Sequence, residues 1–222
     1  MQQYPYFLGN LFLFILWFTI FLARKDLRKE MLMMGMLFAI LGPISEYWYY
    51  KDYWKPALLI NFPIAIEDIL FGFNAGGIGS VLYEILLNKK LVKIKEERRS
   101  HKWFLLVSII VAAALLHFFV DFNSIYDSVA IFWIATLVVI LLRRKLVINA
   151  LFSGLFFSLF YGLGLLIFIP LFPGVVERYW LLYGTLPIIW GVPITELFWA
   201  FSFGAMCGPL YEFWQGYRLR RQ

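Results

Sequence analysis

Cysteine is all but missing from this chain. Its 222 residues include one, Cys207, so no intrachain disulfide can form. Histidine is nearly as scarce, at two. That leaves little material for a histidine-ligated metal, and no cluster has zinc or iron–sulfur spacing. Charge is thin as well: Asp, Glu, Lys and Arg make up 15% of residues, against about 25% in an average soluble domain. A water-soluble enzyme is excluded on that ground, and disorder more firmly still. Neither GxxxxGK[ST] nor GxGxxG occurs, so nucleotide and flavin binding of those kinds is unsupported. Two histidines and no metal-spaced cluster imply no metal site.

What remains is apolar. Hydrophobic residues make up 62% of the chain and aromatic ones 21%, with a mean hydropathy of +0.76. Apolar runs of about 17–25 residues read as membrane spans. Seven are expected, at residues 4–23, 30–49, 58–87, 103–120, 126–142, 147–172 and 188–214. The first has no basic leader and no small-residue cleavage site, so it is expected to be a span and not a cleaved signal. Of the 20 Lys+Arg, 17 fall on one side: residues 24–29, 89–102, 143–145 and 218–221. Lys51, Lys55 and Arg178 fall on the other. Cytoplasmic loops carry the Lys/Arg excess. The N-terminus is therefore expected outside and the C-terminus in the cytoplasm. The formal charge of +6 then reports topology and contact with lipid headgroups; no nucleic-acid partner is expected.

The chain repeats itself. Residues 64–84, IAIEDILFGFNAGGIGSVLYE, align without a gap to residues 192–212, VPITELFWAFSFGAMCGPLYE. Ile66/Ile194, Phe73/Phe201, Gly76/Gly204, Leu82/Leu210, Tyr83/Tyr211 and Glu84/Glu212 are identical pairs. Asp68 falls on Glu196 and Phe71 on Trp199. Upstream, Tyr47-Trp48 and Tyr179-Trp180 stand at similar distances from the two segments, beside Glu46 and Glu177. The pattern predicts an all-α, polytopic membrane protein of seven transmembrane helices and a single domain, 1–222. Repeat one covers 1–88, a connecting helix 103–120 and repeat two 126–214. One connecting span makes the two three-helix repeats parallel.

Residues four apart share a helix face. Asp68, Gly72, Gly76, Ser80 and Glu84 form one such stripe, and Glu196, Ala200, Gly204, Gly208 and Glu212 the other. Stripes of small residues let membrane helices approach closely, and these two are expected to meet each other. Asp68 and Glu196 lie about 12–15 Å below the outer boundary, at 1.5 Å per residue. A charged acid there costs at least about 2.5–3.5 kcal/mol, so burial favours the neutral, protonated form. No Lys or Arg stands in the apolar part of any span to neutralise them. Glu46 and Glu177 are expected at the outer interface within an aromatic belt. His117 and Asp121, one turn apart, read as a structural hydrogen bond. The prolines at 63 and 193, just before the acids, suit a local break beside a pocket.

At the acids the sequence resembles a known family. Ala65-Ile66-Glu67-Asp68 and Pro193-Ile194-Thr195-Glu196 are similar to the twice-repeated Pro-Ile-Glu-Glu signature of the lycopene cyclase domain family. The Trp/Tyr-rich stretches 46–54 and 177–183 precede the two copies, as in that family. Ala65 stands where the first copy has proline, and Thr195 where the second has an acid. The resemblance implies a fused single chain acting on a lipophilic isoprenoid or carotenoid within the bilayer. It implies an isomerase that cyclises the end of a linear polyene by acid catalysis. Asp68 and Glu196 would be the catalytic acids, with Glu67 in reserve. Phe71, Phe73, Trp199 and Phe201 would offer aromatic faces to a carbocation. Ring closure leaves the atom count unchanged, so no cofactor is expected. The alternative is a carrier or proton-conducting protein using the same acids. A retinal-binding protein fits the topology, but the seventh span has no lysine for a Schiff base.

Overall fold

The computed structural model describes residues 4–59, 64–93 and 122–221, with isolated positions at 104, 107, 108, 111 and 115. The expected fourth span at 103–120, His117, Asp121 and the proline at 63 lie outside the residues whose structure can be followed. The described part is helical. Seven α-helices are present among the described residues: α1 (Pro5–Ala23), α2 (Arg28–Asp52), α3 (Ile66–Leu86), α4 (Ser124–Leu142), α5 (Val147–Leu171), the short α6 (Val175–Tyr179) and α7 (Ile194–Gln215). Their apolar runs have no water to satisfy backbone groups in lipid, and a helix pairs those groups within itself. Pro5 opens α1 at a position where its missing N–H is no loss. The Asn123 side chain caps α4 by accepting from Ile125 N at 3.2 Å.

Among the described residues, five helices are long and apolar enough to cross a membrane: α1, α2, α3, α4 and the segment Arg144–Leu171 that contains α5. The chain is a multi-pass membrane protein on that basis. The expected last span at 188–214 is not among these five, and its helix begins later than the sequence suggested. Residues Ile188–Ile189 (β1) and Val192–Pro193 (β2) form a two-residue hairpin instead. Trp190 and Gly191 turn it with φ of 52° and 86°. That left-handed pair matches the right-handed twist of adjoining strands. The helix starts only at Ile194. A second antiparallel ladder, Lys89–Lys93 (β3) with Tyr217–Arg221 (β4), follows α3 and α7. Nothing in its lysine- and arginine-rich sequence signalled a strand.

The chain divides into two compact units. The first comprises residues 1–78 and 160–197, the second 79–159 and 198–222. In the first unit α3 packs on α2. A Cβ at Gly72 would overlap the Phe38 backbone carbonyl, and one at Gly76 would meet Phe38 and Met34. Asn10 of α1 bonds the Glu67 carbonyl at 3.2 Å, and Asn74 bonds the Asn10 carbonyl at 3.0 Å. In the second unit α7 packs on α5. A Cβ at Gly204 would meet Phe157 and the Ser153 carbonyl, and one at Gly208 would meet Ser153 and Asn149.

The glycines of the two stripes therefore face α2 and α5, and the expected meeting of stripe with stripe is corrected at those positions; the stripes' last members, Glu84 and Glu212, are hydrogen-bond neighbours. The physical reason is economical. Each stripe admits one neighbouring helix, and bulky Phe38 and Phe157 fill the space that the missing side chains leave.

Candidate functional site

Asp68 and Glu196 both fall in the first unit, on the opening turns of α3 and α7. They are 3% and 5% exposed. Neither has an ion pair among the described residues. Hydroxyl and indole donors hold them instead. Tyr6 of α1 donates to Asp68 Oδ1 at 3.2 Å. Tyr50 of α2 reaches Oδ1 and Oδ2 of the same carboxyl at 2.8 and 2.9 Å. Glu196 receives three donors. Trp180 Nε1 bonds Oε1 at 2.7 Å, and Tyr161 of α5 bonds Oε2 at 2.9 Å. The third is Tyr53, whose hydroxyl also lies 2.9 Å from Thr195 Oγ1. Tyr53 sits just past the end of α2, and burial and the Glu196 carboxyl beside it push its hydroxyl above the usual tyrosine range. It stays protonated and free to donate.

Rings join the two acids' partners. Tyr6 meets Trp54 edge-on at 5.7 Å, and Trp54 meets Trp180 at 4.3 Å. On a second path, Tyr6 lies 6.2 Å from Phe71, and Phe71 lies 6.4 Å from Tyr161. Asp68 and Glu196 thus border one aromatic cluster inside one unit. A backbone bridge fixes its edge. Tyr53-Trp54-Lys55 runs antiparallel to Tyr179-Trp180-Leu181, with Lys55 N on Tyr179 O and Leu181 N on Tyr53 O, both at 2.8 Å.

Among the other expected site residues, Glu67 is fully buried but bonds the Leu59 amide at 2.6 Å, so it ties down the approach to α3. Phe71 belongs to the cluster. Phe73 packs on Trp17 of α1 at 4.7 Å. Trp199 and Phe201 lie in the second unit, where Trp199 stacks on Phe203 at 5.2 Å and Phe201 on Trp133 at 5.8 Å.

One upstream reading needs correction. Glu46 is not at an open interface: it is 6% exposed and within electrostatic reach of both Asp68 and Glu196. Tyr179-Trp180 lies against Tyr53-Trp54. Tyr47 is 65% exposed, with Lys51 over its ring at 3.9 Å. The sequence reading also missed Tyr6, Tyr50, Tyr161 and Trp180 as holders of the acids. Their one signal is that tyrosine and tryptophan are the neutral donors available to a carboxyl in an apolar span.

Comparison with known proteins gives one match. The family model described as lycopene cyclase matches residues 123–214, a segment that contains Glu196, Tyr161 and Trp180. No curated protein and no solved structure gives a significant match to the chain.

Proposed function

We propose, from the premise that residues 123–214 match the lycopene cyclase family, that the chain is a membrane-embedded isomerase closing a ring at the end of a linear carotenoid or related isoprenoid. The observation that carries this reading is the pair of buried carboxyls, without an ion pair among the described residues, on one aromatic cluster. A carboxyl in dry surroundings holds its proton and can act as a general acid. Asp68, held by two tyrosines, donates its proton to the terminal double bond, forming a C–H bond and a carbocation. An internal double bond attacks that cation and closes the ring. A neighbouring carbon then loses a proton to Glu196, whose three donors favour the ionised form that can accept it. Atoms balance, and no electrons are exchanged.

The rings of Tyr6, Trp54, Phe71 and Trp180 stabilise the cation without trapping it, each worth about 2 kcal/mol when desolvated. The substrate is lipophilic and enters from the bilayer. The proposed frame is two parallel repeats, 1–88 and 126–214, joined by a connecting helix at 103–120, with seven spans, the N-terminus outside and the C-terminus cytoplasmic.

The test is expression in a lycopene-accumulating host followed by pigment chromatography. Wild type is expected to yield a cyclised product. Asp68→Asn and Glu196→Gln, at matched expression, are expected to lose about 100-fold or more, the scale of general acid–base catalysis. Product that survives both substitutions removes these acids from the mechanism. A second reading, proton conduction, is favoured by one observation: Glu84 and Glu212 are also fully buried, in the second unit. Proton flux in liposomes that Asp68→Asn abolishes, with no cyclised pigment, would support it.

A further inference from the structure

Glu46 has no task in the scheme above, yet it stands at the same cluster. Glu46, Tyr50 and Tyr53 follow one another at spacings of four and three, which puts them on one face. The Tyr53 amide still bonds the Tyr49 carbonyl at 3.0 Å, so the helical turn runs through it. Tyr50 reaches Asp68 and Tyr53 reaches Glu196. Glu46 is thus the carboxyl on the face that serves both acids, and it acts electrostatically on Tyr6 and Tyr161 as well. Its Oε2 is buried and has no hydrogen-bond partner among the described residues. A buried polar atom without a partner is costly and calls for a reason.

The proposed reaction supplies one. Each ring closure leaves the proton on Glu196 and leaves Asp68 without one. Both carboxyls are shut away from water, so the next turnover waits on the proton's return. We infer that Glu46 relays the proton from Glu196 back to Asp68 and so resets the site after each ring closure. An O–H bond breaks at Glu196 as one forms at Glu46; an O–H bond breaks at Glu46 as one forms at Asp68. Glu46 ends as it began, and no co-reactant is needed. The inference rests on the cyclase reading, because only a reaction that moves a proton from one acid to the other needs resetting.

The experiment uses the full chain in lipid nanodiscs with excess lycopene. Glu46→Gln keeps the shape and removes the carboxyl that accepts the proton and passes it on. It is expected to form about one ring per site at the wild-type rate, after which steady-state turnover falls by about ten-fold or more. Glu46→Asp is expected to restore part of that turnover. A steady-state rate within about two-fold of wild type overturns the relay. So does loss of the first turnover in a folded Glu46→Gln variant, which would place Glu46 in the ring closure itself.

Infrared spectroscopy without substrate gives an independent arm. Carboxyl bands that disappear in Asp68→Asn and in Glu196→Gln should both move in Glu46→Gln; if neither moves, the three acids do not share protons and the relay fails. A wild type that forms no ring overturns the cyclase reading instead, while the infrared arm still decides whether the acids are coupled.

Discussion

Tyr53 serves two partners with one hydroxyl, Glu196 and Thr195. Replacing it by phenylalanine leaves a buried carboxyl short of a donor, at a cost of about 1–3 kcal/mol. Tyr53→Phe is therefore expected to lower thermal stability in detergent clearly. Tyr47→Phe, at an exposed ring, should stay within about 0.5 kcal/mol of wild type. Equal effects at the two positions would mean that the Tyr53 bond contributes nothing. At this scale the acids themselves were legible, because a carboxyl in an apolar run is costly wherever it points. Their partners were not. A tyrosine suits a lipid interface as well as a buried carboxyl, and only the packing of α1, α2 and α5 decides which role Tyr6, Tyr50 and Tyr161 take. Glu46 was misread for the same reason: its aromatic neighbours looked like an interfacial belt.

At the level of elements, glycine separates close packing from open surface. Gly72 admits the backbone of α2, and Gly204 admits the backbone of α5. Gly164 of α5 faces open space. Gly72→Ala and Gly204→Ala are expected to reduce the yield of folded protein in fluorescence-detected size-exclusion runs. Gly164→Ala should be neutral or stabilise by about 0.5–1 kcal/mol, because alanine favours a helix interior over glycine. Similar behaviour of all three would show that the close approaches are unimportant. Hydropathy made the long helices legible, and the spacing of four revealed the stripes. It could not say which helix each stripe meets, since a stripe specifies closeness and not a partner. The two contacts nonetheless run alike: Gly76 meets Met34 and Phe38, and Gly204 meets Ser153 and Phe157. Each pair is four residues apart, one helical turn. The short ladders escaped notice because apolar Ile188–Ile189 reads as span and basic Lys89–Lys93 as loop.

For the whole molecule, the charge asymmetry predicts orientation, and the structure supplies sites to test it. Cys207 is buried, so an introduced cysteine can be read against a quiet background. Thr185 and Lys145 are both exposed. Thr185→Cys is expected to react with an impermeant maleimide in intact cells, and Lys145→Cys only after permeabilisation. Labelling of both from one side would refute the proposed topology.

The bond from Tyr53 to Glu196 has a further consequence. Tyr53 follows α2 and Glu196 opens α7, and the Trp54–Trp180 backbone bridge joins the same two stretches. Neither residues 1–99 nor residues 100–222 contain the full set of donors for Glu196. Fragments 1–99 and 100–222, made separately, should each be inert, and co-expression should restore function only where they assemble one to one. Joining the two stretches then acts as a guarantee of stoichiometry: it delivers one Tyr53 donor for every Glu196 acceptor.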